Sequence, residues 1–200
     1  MLMGKHKEAL GYINKAIYLS PTFYKAHYNS GLVYAREGNY AEALKSFNAA
    51  IRLNNYTKAI VARGNIYFEL KEYPKAMTDA NYVISREPRN AKAYFLLGNC
   101  FHDINDLEKA IYNYDKAIAL KNNDPSIFLS RGIAYGKAQQ FDKCLKDLDE
   151  ATRISPNFAE AYYWKGVAKV NLNQNPCADL KKAVSLGFSQ AHGPLSKYCR

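Results

Sequence analysis

Nothing in this chain is apolar for long enough to cross a membrane, because no run of about 18 hydrophobic residues occurs in its 200 positions. The opening stretch Met1–Glu8 also lacks the apolar segment of a secretory leader, which leaves open that a leader was removed. Tryptophan occurs once, histidine and cysteine four times each. The motifs GxSxG, HExxH and the glycine-rich phosphate loop are missing, which argues against the common hydrolase, zinc-protease and nucleotide-binding chemistries. His6, His27, His102 and His192 are scattered, and Cys100 and His102, two apart on a helix, point in different directions. Acidic pairs such as Asp149–Glu150 read as a solvated helix face. No catalytic residue, metal ligand set or cofactor is therefore expected, and the chain is not expected to be an enzyme. Seven prolines and 11 glycines are too few for a disordered chain that is 48% hydrophobic and 23% charged.

Tyrosine, by contrast, occurs 17 times, and the net charge is +10. The basic excess lies towards the two ends, with the middle near neutral. Such a field favours acidic partners in general without naming nucleic acid. Cys100 and Cys144 read as buried thiols, whereas Cys177 and Cys199 could bridge if the last helix folds back on its neighbour. A bridge would point to an oxidising compartment, periplasmic or extracellular; otherwise the cytoplasm is the expected location.

The strongest signal is a period. Gly31, Gly64, Gly98, Gly132 and Gly166 stand 33, 34, 34 and 34 residues apart. Three residues beyond them come Tyr34, Tyr67, Phe101, Tyr135 and Lys169; twelve beyond, the small residues Ala43, Ala76, Ala110, Cys144 and Ala178. Sixteen beyond lie Phe47, Ala80, Tyr114 and Leu148. Small residues let two helices approach and bulky ones fill the space between them, so each period reads as a pair of packed helices. Polar turns such as Arg36–Tyr40 divide each pair, and Ser20-Pro21, Glu87-Pro88, Asp124-Pro125 and Ser155-Pro156 separate successive pairs. One residue is missing near Asn54–Thr57, and the last second helix fits an offset of 32, which sets Leu180 against Leu148 and Ala183 against Ala151.

This pattern resembles the tetratricopeptide repeat family, over nearly the whole chain. The resemblance implies an all-α, right-handed α-α superhelix in a single domain over 1–200. Its expected parts are a half repeat at 4–22, repeats at 23–56, 57–89, 90–123 and 124–157, an altered repeat at 158–187 and a capping helix at 188–200. Helices are expected near 6–19, 23–36, 40–53, 57–70, 74–86, 91–103, 107–121, 125–137, 141–154, 159–171 and 176–186, with a late start to the cap at Gly193-Pro194. The closing segment is similar to that of some bacterial repeat proteins, which suggests a bacterial source. The N-terminal half repeat looks uncapped, as in a piece of a longer protein or in a chain whose edge another chain covers.

The family binds proteins and peptides in a concave groove lined by the first helices. Carried over position by position, the groove residues include Lys25, Lys58 and Lys92 in register, Asn65 and Asn99 on one face, and Tyr28, Phe68, Phe95, His102 and Tyr163. Lysines suit an acidic or terminal carboxylate, asparagine amides an extended backbone, and aromatics an apolar anchor. The carboxylate clamp that some members use for chaperone tails is not met, because Tyr28, Leu32 and Ala62 stand at its sites, and Val61, Leu96 and Ser130 in the next window. The expected function is a non-enzymatic peptide-binding scaffold. The alternatives are a self-assembling module that dimerises through the open half repeat and, below it, binding of nucleic acid by the basic ends.

Overall fold

The computed structural model describes residues 2–199, with side chains from residue 7 onward. Among the described residues there are twelve α-helices and no strand: α1 Leu2–Leu19, α2 Tyr24–Arg36, α3 Tyr40–Asn54, α4 Thr57–Glu69, α5 Tyr73–Arg86, α6 Ala91–Asp103, α7 Leu107–Leu120, α8 Pro125–Lys137, α9 Phe141–Ile154, α10 Ala159–Asn171, α11 Cys177–Ser185 and α12 His192–Tyr198. The fold is an all-α helical repeat. The chain divides into two compact units, Met1–Cys100 and Phe101–Arg200, and the division falls inside α6.

The helix-to-helix turn is built the same way in every repeat. Seven residues after each repeat glycine the backbone enters the left-handed region, at Gly38 (φ 74), Lys71 (59), Asn105 (63), Gln139 (59) and Asn173 (54). The next residue's N–H then donates to the carbonyl five back: Asn39 to Tyr34, Glu72 to Tyr67, Asp106 to Phe101, Gln140 to Tyr135 and Gln174 to Lys169, at 2.8–2.9 Å. That bond closes the first helix and satisfies a carbonyl its end would leave open. The same residue can cap the following helix, as Asn39 does for Glu42 and Asp106 for Lys109. The short junction between α3 and α4 uses another left-handed residue, Asn55 (φ 46), where other junctions use proline.

Within Met1–Cys100, the small slots Ala43 and Ala76 are fully buried, so that paired helices touch closely. A Cβ on Gly31 would lie 2.5 Å from the Phe47 ring, which is why glycine stands there. Phe47 is itself fully buried, a burial that stabilises by about 1.5–3 kcal/mol. In the next repeat the bulky slot holds Ala80, and Leu96 from α6 covers Gly64 instead. α1 packs on α2, while Tyr12, Tyr18 and Leu19 are exposed.

Within Phe101–Arg200, Ala110 and Cys144 fill the small slots and Tyr114, Leu148 and Leu180 the bulky ones, all buried. Pro176 is buried and Ala178 exposed, so the small slot of the last repeat lies two residues earlier than in its neighbours. Two residues fewer in the turn Asn173–Pro176 carry Leu180 into the place of Leu148. α12 starts at His192, after the single turn Ser189–Ala191. It does not start late at Gly193-Pro194, because Pro194 sits in the first turn, where the missing N–H is not needed. Arg200, where the expected cap ends, lies outside the described residues. Cys177 and Cys199 form a disulfide with Cα atoms 5.5 Å apart, and Leu180, Ala183 and Ala191 form a small core with Tyr163 and Phe188 beneath it.

A second column of residues runs in register beside the glycines. Arg63, just before Gly64, donates from Nε and Nη2 to both carboxylate oxygens of Asp79 (2.9 and 2.6 Å) and from Nη1 to Asn48 (2.6 Å). Sixty-eight residues later Arg131 does the same to Asp147 (2.7 and 2.6 Å) and reaches Asp115 (2.5 Å). In the last repeat Lys165 lies 2.8 Å from Asp149 and 3.4 Å from Asp179, and Lys169 lies 2.5 Å from Asp179. In the first repeat the place is taken by a neutral pair, Ser46 donating to Ser30 at 3.4 Å. Burial alone would lower the Arg131 pKa, but the hydrogen bonds to Asp147 and Asp115 outweigh it and hold the guanidinium above its ordinary value. Asp149 is exposed and Glu150 partly buried, and both carboxylates are engaged, Asp149 by Lys165 and Glu150 by Arg153.

Candidate functional site

In Met1–Cys100 the first helices α2, α4 and α6 bring four of the ten expected groove residues to one place. A cavity of about 200 Å³ is lined by Tyr28 and Leu32 of α2, Lys58, Val61, Ala62 and Asn65 of α4, Lys92 of α6, and Asn90 just before it. Its floor is apolar and its rim carries two ammonium groups and two amides. No carboxylate lines it, and neither Lys58 nor Lys92 has an ion pair of 4.0 Å or less among the described residues.

Each wall has a local cause. Tyr28 is held edge-on by Tyr56 (centroids 5.2 Å) and leans on Phe47 (6.0 Å), so part of its ring is core and part faces the cavity. Burial, and then the neighbouring Tyr56, raise its phenol pKa, so it remains a neutral donor. Lys58 and Lys92 sit in the first turns of α4 and α6. Asn65 is exposed on the third turn of α4 and lines the same cavity. Asn90 had not been expected in the site, because it lies in the link between repeats. It accepts from the Ala93 N–H (3.2 Å) and donates to Glu87 (2.7 Å).

Glu87, Arg89 and Pro88 extend the surface as a wider, more open depression that shares Lys58, Asn90 and Lys92. The Glu87 carboxyl is held below its ordinary range by hydrogen bonds from Thr57 and Asn90, with a smaller contribution from Lys58. It fixes the link and only partly offsets the positive charge of Lys58, Arg89 and Lys92.

The other expected residues have different settings. Lys25 is exposed and lies 5.9 Å from the centre of the Tyr24 ring, outside the cavity lining. Phe68 is half-buried and packs on Tyr73 (5.8 Å). Phe95 and Asn99 are partly buried on α6 and do not line the cavity. In Phe101–Arg200, Tyr163 is held between Trp164 (5.3 Å) and Phe188 (5.1 Å), as packing for the closing segment. His102 is half-buried; burial first, and then the charge of Lys137, lower its pKa, against the pull of Asp103 at 3.2 Å.

The family model described as "Tetratricopeptide repeat" matches residues 24–56, and the one described as "TPR repeat" matches residues 98–139. "Hsp70-Hsp90 organizing protein 3" of Arabidopsis thaliana is 32% identical over 87 residues, 43% of this chain but 16% of that protein. The chain thus spans about one sixth of the length of that relative. Among solved structures, the APC/C hetero-tetramer Cut9–Hcn1 superposes with a TM-score of 0.90 over 99% of this chain and 40% of that one, at 18% identity. YrrB, described as a TPR protein with an unusual peptide-binding site, superposes with a TM-score of 0.66 over 92% of this chain and 96% of its own, at 19% identity.

Proposed function

We propose that this chain, which carries tetratricopeptide-repeat matches at residues 24–56 and 98–139, is a protein-interaction scaffold that binds an extended acidic segment of a partner protein in the cavity between α2, α4 and α6. The observation that carries the reading is the convergence of Lys58, Lys92, Asn65 and Asn90 on one apolar-floored cavity without a carboxylate in its lining. The ammonium groups would meet one or two carboxylates, and the amides can donate to and accept from a peptide backbone at once. Tyr28, Leu32 and Val61 offer apolar surface to a neighbouring side chain. Each exposed ammonium–carboxylate contact contributes about 0.2–1 kcal/mol. Affinity would therefore come from several such contacts together and fall with added salt.

A chaperone tail is not the ligand proposed, despite the name of the curated relative. The clamp needs polar groups where this chain has Tyr28, Leu32 and Ala62. Lys25, Phe68, Phe95 and Asn99 of the same unit belong to the proposal only as flanking surface, and His102 and Tyr163, which lie in Phe101–Arg200, are no part of it. A second reading, self-association through α1, has the exposed Tyr12, Tyr18 and Leu19 in its favour. Light scattering of wild type and Tyr12→Ser/Tyr18→Ser distinguishes it: a dimer that dissociates in the variant supports it, and a monomer in both removes it.

The test of the main reading is capture of partners by the whole chain and by a Lys58→Glu/Lys92→Glu variant of equal helicity. A partner lost only by the variant, and weakened in the wild type by salt, is the expected result. A partner held equally by both would move the site away from α4 and α6.

A further inference from the structure

We propose that the cavity between α8, α9 and α10 is a receptor for one aromatic side chain of a partner protein, with an acidic group of the same segment resting on Lys137. The cavity measures about 330 Å³, and Gly136, Phe141, Trp164 and Val167 form its walls. That is the small end of the roughly 300–1,000 Å³ of ligand pockets, which suits a single ring and its surroundings.

The case for a ring comes from the repeat itself. Four residues after the repeat glycine the other units carry Ala35, Phe68, His102 and Val170, whereas here the residue is Gly136. Sixty-eight residues earlier, Phe68 packs on Tyr73 with centroids 5.8 Å apart. In the later repeat Gly136 stands at the position of Phe68 and Phe141 at that of Tyr73. The aromatic partner is kept and the ring that would cover it is missing. Crowding does not explain the glycine: a Cβ built on Gly136 meets only Cys144 Sγ, at an ordinary 3.5 Å. A space bounded by Phe141 and Trp164 offers an incoming ring stacked or edge-on contacts on both sides.

The charge beside the cavity defines the rest of the ligand. Lys137 is exposed, adjoins Gly136 and has no ion pair of 4.0 Å or less among the described residues. The remaining polar lining is Gln139 and Asn171, and no carboxylate lines the space. The Asn171 Nδ2 donates to the Val167 carbonyl (2.9 Å), and the residue is exposed. An aromatic residue with a carboxylate one bond system away would therefore satisfy both parts. This site does not depend on Lys58 or Lys92, so the two proposals fail independently.

Trp164 is the only tryptophan and lines this cavity, so its indole N–H gives one unambiguous resonance beside it. The probes are N-acetylphenylalanine, its amide and N-acetylalanine, titrated into the full chain. The expected result is a saturable shift of the indole resonance with N-acetylphenylalanine, none with N-acetylalanine, and binding about two- to fivefold weaker for the amide. Lys137→Gln should erase the difference between acid and amide. Gly136→Phe should supply the ring from within, abolish the shift and raise the melting temperature; Gly136→Leu serves the same purpose if the larger residue impairs folding. An indole resonance unmoved by N-acetylphenylalanine at millimolar concentration would overturn the proposal. So would an equal response to N-acetylalanine, or a folded Gly136→Phe protein that is less stable than wild type.

Discussion

Met1–Cys100 and Phe101–Arg200 are written on one template and differ in what surrounds it. In both, small residues at the twelfth place and a left-handed residue at the seventh keep paired helices close. The first unit covers Tyr73 with Phe68 and leaves Lys58 and Lys92 unpaired over an apolar floor. The second extends the Arg63–Asp79 type of pairing into networks around Arg131 and Lys165, closes with a disulfide, and has Gly136 where Phe68 stands in the first, with Lys137 beside it. Core positions are dictated by close packing and tolerate little change, so differences collect where a ligand can reach. The glycine at Gly136 departs from Phe68 in the sister unit, whereas each unit leaves lysine beside its cavity without an ion pair among the described residues.

The largest way to break the comparison is at the buried charges. Arg131→Met strands Asp147, which is 5% exposed, and should destabilise by about 3–5 kcal/mol. Ser46→Ala at the neutral pair of the first repeat should cost only about 0.5–1.5 kcal/mol. Urea denaturation followed by circular dichroism measures both, and equal losses would show that the charge column is no more structural than a hydroxyl pair. Next in size, Cys177→Ser/Cys199→Ser should cost about 2–4 kcal/mol, seen as faster amide exchange in α11 and α12 with residues 7–100 unchanged.

The repeat itself was legible because glycine, small and aromatic positions recur in phase. The expected ends of α6, α8, α9 and α10 coincide with those observed, since the left-handed turn and the proline links fix them. At the start, α1 begins at Leu2 where residue 6 was expected; no cap or proline marks its beginning. The charge column was not read, although Arg63 and Arg131, and Asp79 and Asp147, each stand 68 residues apart. A lone Asp on an amphipathic helix looks like surface until the facing helix is known. Of the site, Tyr28, Lys58, Asn65 and Lys92 were legible from groove spacing, and their convergence was not, because it depends on Asn90 and the link that orients α6. Spacing also cannot separate a free ring from one already packed, as Phe68 and Tyr163 show.

Smaller changes sharpen what the units share. Gln139→Gly and Lys71→Gly relieve a left-handed L-residue in each unit and should each stabilise by about 1 kcal/mol, read as a higher urea midpoint; a loss in either would mean that its side chain holds the turn. The smallest effect concerns pH. The folded Glu87 pKa is depressed by Thr57 and Asn90, so its contribution is present above the unfolded value of about 4.3 and is lost as pH falls through the lower folded value. Amide exchange at the start of α4 and α6 should quicken across that window, and Glu87→Gln should remove the dependence.

The most direct measurement is amide hydrogen exchange of the whole chain with and without a captured partner. Protection gathered at residues 58–65 and 90–92, and absent in Lys58→Glu/Lys92→Glu, is the predicted result. Protection confined to α1 or to the second helices α3 and α5, with residues 58–65 and 90–92 unchanged, would contradict it.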